Sequence, residues 1–321
     1  MGRGPAKEGG GVLRCLSDLT KGPFVKISVI IPHLNQPDHL ARCLDSLAAG
    51  RWLPDEIFVV DNGSRSLPEA ACAAHPGVTL LSEPAPGPGP ARNRGIAASS
   101  GDVLAFIDAD CLADPGWLEA AAREMADPQA QILGGDVRIA LKEPGRLSAL
   151  EAYESIFAYR MDLYIAREGF TGTGNLVIRR AVYDAVGPFA GIGVAEDRDW
   201  GRRATAKGFK IRYVADMKAY HPARESFAEI FRKWDRQTAH DYTQGAVGAK
   251  GKLKWLAKTL AMPISPFVHA PQVFASPRIE GLGSRFRAVA ALFIVRFYRA
   301  GLMARLLLGQ DAARLSGSWN R

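Results

Sequence analysis

The chain has 321 residues, is 47% hydrophobic and carries a formal net charge of +8. That is enough apolar content for one large α/β core plus a smaller appendage, and too much for a disordered chain. Cys15, Cys43, Cys72 and Cys111 are scattered without a CxxC pair, which argues against a zinc ribbon or disulfide framework and fits a reducing compartment, the cytoplasm.

Residues 1–23, "MGRGPAKEGGGVLRCLSDLTKGP", hold no apolar run long enough for a signal-peptide core and read as a loose, flexible tail. "FVKISVIIPHLN" is a β-branched run ending in Pro32 and Asn35, and "DHLARCLDSLAAG" shows helical apolar spacing closed by Gly50. The strand-like "EIFVVDNGS" and "VTLLSEP", the helix-like "ARNRGIAASSG" and the strand-like "DVLAFIDADC" follow. Such alternation predicts a parallel sheet covered on both faces, with ligands at the carboxyl ends of its strands. Asn35, Asp61 with Asn62, and Asp108 with Asp110 fall at those ends. Burying a carboxylate is costly unless something positive compensates it, so the Asp108/Asp110 pair lies at a solvated strand end or holds a cation. A second Asp-x-Asp, Asp197 and Asp199, shows that spacing alone does not decide.

A helix is predicted around Trp117 to Met125, then a strand "QILGGDVRIAL", a helical stretch from about Leu147 to Arg167, and a loop "FTGTGNLVIRR". "GIGVAEDRDWGRRATAKGFKIRYV" reads as a loop, a short helix from about Glu196 stopped by Gly208, and a strand; "MKAYHP" is a further strand piece ending in His221. Beyond Ser226 helices take over, dividing the chain into residues 24–225 and 226–321.

These residues resemble the inverting glycosyltransferases of family 2, which have the GT-A fold, an α/β Rossmann-like, mostly parallel sheet with helices on both faces. "VVDNGSRS" is similar to the family's VVDDGSTD, "ARNRGIAASSGDVLAFIDADC" to its block ending in the DXD motif, and "GTGNLVIRR…EDRDWGRRATAKGFKI" to its acceptor-side block. The likeness covers roughly residues 25 to 225. It implies a donor site around Pro32, Asn35, Asp61, Arg92 and Asp108, with Asp61 accepting from a nucleobase imide and so favouring a UDP- or dTDP-sugar. Asn62 and Ser66 depart from the family's acids. Asp110 would ligate Mg2+ or Mn2+ directly, with Asp108 nearby and His221 as a further metal or diphosphate ligand. An inverting transfer needs a base on the acceptor side; the resemblance assigns it to Asp197, beside Glu196, with Arg203 orienting the acidic pair or phosphate. Gly174 and Asn175 would line the acceptor or donor-sugar wall. Blander readings stand beside these: Asp61 as a turn cap, Arg92 in a surface ion pair, and Glu196 and Asp197 as favourable charges in a first helical turn.

From Glu229 to the end, fifteen Lys or Arg face five acids, so all of the basic excess sits in the last third. Arg287, Arg296, Arg299 and Arg305 interrupt every window long enough to span a bilayer. On a helical wheel they share one half, while Val289, Phe293, Ile294, Phe297, Ala300, Ala304 and Leu307 fill an Arg-free arc. This is the pattern of a helix lying on an anionic membrane surface, or of one packing on the catalytic part or on a second copy in a homo-oligomer. The expected protein adds one sugar to a lipid-linked or glycan acceptor, peripheral on the inner membrane face, in polysaccharide or lipid-linked glycan synthesis. The rivals are a metal-dependent nucleotidyltransferase, whose triphosphate loop is missing after the first strand, and a nucleic-acid-binding protein, for which no accompanying motif is found and no nucleic-acid partner is expected.

Overall fold

The computed structural model describes residues 25–143, 145–312 and 315; the tail read at 1–23 lies outside them. In chain order the elements begin β1 (Ile27–His33), α1 (Pro37–Ala48), β2 (Glu56–Asp61), α2 (Glu69–Ala73), β3 (Val78–Ser82), α3 (Pro88–Ala98), β4 (Val103–Ile107), β5 (Leu112–Ala113) and α4 (Trp117–Met125). There follow β6 (Ile132–Ala140), α5 (Ala149–Phe157), α6 (Met161–Glu168), β7 (Asn175–Arg179), α7 (Arg180–Val186), α8 (Glu196–Ala206) and β8 (Ile211–Pro222). Four helices end the described chain: α9 (Phe227–Gly245), α10 (Gly248–Ala261), α11 (Ser265–Ala275) and α12 (Leu282–Leu307).

One eight-stranded sheet has the order β3-β2-β1-β4-β7-β6-β8-β5. The first half is parallel, as the strand and helix alternation predicts. The second is mixed, because β7 runs antiparallel to both β4 and β6, and β5 antiparallel to β8. "NLVIR", read from sequence as loop, is β7 in the middle of the sheet; its three-residue apolar run carries no length signal. The two strands read after Gly208 are one, β8, whose pairing with β6 shifts between Gly135 and Asp136. The helical stretch from Leu147 divides into α5 and α6 at Tyr159, which takes φ 50 and so cannot continue a right-handed helix.

Strands buried on both faces supply two cores by simple alternation. Ile27, Val29, Ile31, Val103, Ala105 and Ile107 pack on the face that holds Leu40, Leu44 and Trp117. Ile30, Leu104 and Phe106 point the other way, toward Ile96, Val182 and Trp200. The chain after Ser226 shares a core with α5: Leu150 and Tyr153 pack with Ile230, Ala291, Leu292 and Val295.

No helix among the described residues is long and apolar enough to cross a membrane. On α12 the packed face includes Ala288, Ala291, Leu292, Val295, Met303 and Leu306, so the expected Arg-free arc is divided: Ala300 is buried, whereas Ile294 and Phe297 stay exposed. Arg296 and Arg299 do not face outward as the wheel implied. The Arg299 guanidinium lies 3.6 Å from the Trp234 ring centroid, and Arg296 Nη1 is 3.5 Å from Met262 Sδ. A wheel tells which residues share a face but not which neighbour meets it.

Candidate active site

A cleft of about 1120 Å³ opens at the carboxyl ends of β1 and β4. It gathers Pro32, Asn35, Arg92, Asp108, Asp110 and Gly174 with Glu196, Asp197 and His221. Three other predicted residues, Asp61, Asn175 and Arg203, are not part of its wall.

At the ends of β1 and β2, buried His33 and Asp61 face each other, with Nδ1 2.9 Å from Oδ1. The Gln36 amide donates to His33 Nε2, so the imidazole proton sits on Nδ1 and points at the carboxylate. The other Asp61 oxygen accepts from the Gly63 and Ser64 amides. Burial would raise the Asp61 pKa, but the bonds from Ser64 and His33 outweigh it and hold the carboxyl below its ordinary value. Asp61 therefore caps the β2 turn, with both oxygens occupied. Asn62 explains its own departure from the family's acid. Its amide donates to the Glu83 and Ala85 carbonyls while its oxygen accepts from the Gly87 amide, and an aspartate could not make the first two bonds. Asn35, at φ 54, clasps the same loops through Ser64 and Arg65.

Arg92 is 2% exposed and sits between two carboxylates, donating to Asp108 Oδ1 at 2.7 Å and to Glu196 Oε1 at 2.9 Å. It is neither a surface ion pair nor free to face a diphosphate with its full charge. It ties the end of β4 to the start of α8. Asp197, next along α8, has no ion pair among the described residues; its Oδ1 accepts from the Arg198 amide. Burial, with the Glu196 charge second, pushes its carboxyl up to about 6. Gly174 makes room for this arrangement, since a Cβ there would stand 2.5 Å from Asp108 Oδ2.

On the other side of the pair, Asp110 Oδ2 lies 3.4 Å from His221 Nε2. His221 Nδ1 is 2.7 Å from the Pro222 carbonyl, which can only accept, so Nδ1 carries the proton and Nε2 presents a lone pair. The Tyr159 hydroxyl, 3.0 Å away, donates to that lone pair, a bond that a metal at Nε2 would replace. Carboxylate oxygen and imidazole nitrogen thus converge as acceptors, a donor set that fits Mg2+ or Mn2+ with ligand oxygens completing the shell. Cys111 is close enough to join them. Burial, then Asp110 and Asp108, pushes its thiol well up, however, so it stays protonated and is no ligand for a hard cation.

Arg203 corrects the sequence expectation. It pairs with Asp199 one turn away and donates to the Val186 and Pro188 carbonyls, closing the end of α7. Asn175 is likewise structural: fully buried, it donates to the Asp136 and Met217 carbonyls and accepts from Trp117 Nε1, joining β6, β8 and α4. Sequence reasoning missed His33, Tyr159 and Lys233. Lys233 reaches the cleft from α9, and burial, with Arg224 second, brings its ammonium down to about 8. It lies in the basic tail, where no motif separates it from the other lysines.

The family model for glycosyl transferase family 2 matches residues 28–192. The chain belongs to that family. It is a glycosyltransferase of nucleotide sugars, similar to the glycosyltransferase AglE of Haloferax volcanii, 33% identical over 66% of this chain and 70% of the relative. It also resembles the pre-mycofactocin glycosyltransferase of Mycobacterium tuberculosis, 32% identical over 64% of this chain but only 45% of that protein. Among solved structures, a mannosyltransferase of Pyrobaculum calidifontis in complex with GDP-Man and Mn2+ superposes with a TM-score of 0.58 at 18% identity, covering 89% and 88% of the two chains. Glucosyl-3-phosphoglycerate synthase of Mycobacterium tuberculosis, with Mn2+, UDP and phosphoglyceric acid, gives 0.50 at 24% identity over 68% and 78%. Both show that this glycosyltransferase has the GT-A fold.

Proposed function

We propose that the cleft transfers one sugar, with inversion, from a nucleoside-diphosphate sugar to an acceptor hydroxyl. The observation that carries this reading is the division of labour along α8. Glu196 is committed to Arg92, while Asp197 has no ion pair among the described residues, lines the cleft and has its carboxyl up at about 6, suited to taking a proton near neutral pH. Asp110 and His221 would hold Mg2+ or Mn2+, whose charge stabilises the departing diphosphate. Arg92 fixes Asp108 and Glu196 relative to one another before substrate arrives. Nothing in this geometry favours uracil or thymine, since Asp61 is 2% exposed and lies outside the cleft wall. The test is NMR of the product formed from α-linked donors: a β-linked sugar is expected, and an α-linked product would refute inversion.

The acceptor is proposed to be lipid-linked, met on the inner membrane face. Ile264, Phe267 and Val268 at α11 and Phe286, Ile294 and Phe297 on α12 are large apolar side chains left exposed. Phe267 packs edge-on to Phe293, which lies beside Phe297, so the two helices share one apolar surface. Exposed Lys250, Lys252 and Lys254 on α10 add the charge that anionic headgroups attract. In flotation with vesicles containing phosphatidylglycerol, the protein should rise with the lipid and the double variant Phe267→Asp, Phe297→Asp should not. Equal flotation of the two would remove this surface from the reading, and a concentration-dependent dimer lost in the variant would assign it to a second copy instead.

A further inference from the structure

A second cavity, of about 560 Å³, lies among α8, α9, α10 and α12. Arg198, Arg202, Lys258, Arg296 and Arg299 line it, against one carboxylate, Asp241. Arg198 and Arg202 are partly balanced by Glu168. Arg296 meets the Met262 sulfur and Arg299 the Trp234 ring, and neither forms an ion pair with a carboxylate among the described residues. Among the described residues, the Nε atoms of Arg198, Arg296 and Arg299 find no hydrogen-bond partner, and neither does the hydroxyl of Thr238, a side chain 1% exposed.

Uncompensated cations at such depth destabilise a free protein, and orphan buried donors add to the cost. The strain shows in the groups themselves. Burial, with Arg296 second, brings the Arg299 guanidinium down to about 10, and burial lowers Arg296 as well. Burial also holds the Asp241 carboxyl above its ordinary value, and that single acid faces Arg198, Arg299 and Lys258 together, one charge against several. The unmet groups are N–H and O–H donors, several on planar guanidinium forks, which match the oxygens of a phosphate rather than a cation or an apolar group.

Position says what such an anion would belong to. α8 gives Glu196 and Asp197 to the catalytic cleft and Arg198 and Arg202 to the second cavity. α9 gives Lys233 to the first and Thr238 to the second, five residues or about 7.5 Å along a helix. On its far side the cavity is walled by Ala261, Met262 and Ser265, next to exposed Ile264 and Phe267. We propose that this cavity binds the phosphate or diphosphate of the acceptor, seated between the hydroxyl presented to Asp197 and the apolar face of α11 and α12. What the anion is attached to rests on the function proposed above; binding of the anion does not.

The test is calorimetric titration of the full chain in EDTA with inorganic pyrophosphate and, separately, with farnesyl diphosphate, for wild type, Arg296→Gln, Arg299→Gln and Thr238→Val. Wild type should bind both, with each arginine variant at least tenfold weaker and the threonine variant weaker by a smaller factor. Nucleoside-diphosphate binding in Mn2+ should stay within twofold in all of them, so failure of the donor site and failure of this site are read separately. Tighter binding of farnesyl diphosphate than of pyrophosphate identifies a lipid-borne phosphate, and equal binding a soluble phosphorylated acceptor. Because neither arginine has an ion pair with a carboxylate among the described residues, their removal should change the melting temperature little. No binding of either anion, or binding unchanged in both arginine variants, overturns the proposal; variants that melt several degrees lower with unchanged anion affinity show that the arginines serve packing.

Discussion

Replacing Asp110 with alanine is expected to weaken nucleoside-diphosphate binding in Mn2+ about a hundredfold or more, to the level wild type shows in EDTA. The size follows from position: even residues that only orient metal ligands cost roughly 10- to 100-fold when removed, and Asp110 is the carboxylate facing the His221 lone pair. His221→Ala should fall between, because Asp110 remains to hold the ion. Cys111→Ala should leave the nucleotide affinity unchanged, because that thiol is buried and protonated. Calorimetry with UDP, dTDP, GDP and CMP, each with Mn2+ and with EDTA, reads all three variants and names the base as well. If wild type binds one nucleotide equally with and without metal, or Asp110→Ala keeps its affinity, the carboxylate returns to the role of a solvated strand end.

What could be read in advance divides along physical lines. β1, β2 and β4 are buried on both faces, so their sequences are continuous apolar runs with a polar terminus, and that one-dimensional signal located Asp108 and Asp110 at the cleft. β7 and the bulged β8 carry no such signal, because their apolar runs are short or interrupted and their pairing is set by partners distant in sequence. The same limit applies to side chains. A motif fixes that Arg203 and Asn175 are needed, but not that one closes a helix end and the other joins two strands to α4; only the carbonyls they meet show this. Asn62 looked like lost charge beside the nucleoside, and proves to be a donor holding the loop before α3. Lys233 and the arginines of α12 lay beyond reach for a further reason. Net charge reports how many cations a segment has, while their burial depends on the fold of α9 and α12 onto α5.

Asp197→Asn tests the base directly and should lower kcat by roughly 10²- to 10⁴-fold, the usual worth of a positioned base, with little change in nucleotide affinity. Asparagine keeps the shape and the oxygen that accepts the Arg198 amide, so the loss would report the proton acceptor rather than the fold. The pH dependence supplies a second readout. A base held at about 6 is ionised only above that value, so wild-type kcat/KM should rise through pH 6 and level off near 7. The stability consequence runs the opposite way. The carboxyl is raised in the folded state, so below pH 4 it is protonated in folded and unfolded chains alike and costs nothing. Between pH 4 and 6 the unfolded chain ionises first, and the penalty grows until it is complete above 6. Asp197→Asn should therefore melt higher than wild type at pH 8 and match it at pH 4, losing activity while gaining stability, as expected of a group placed for chemistry at a cost to the fold. A variant that melts lower at pH 8, or that keeps its turnover, would instead make Asp197 a favourable charge at the start of α8 and leave the acceptor without its base.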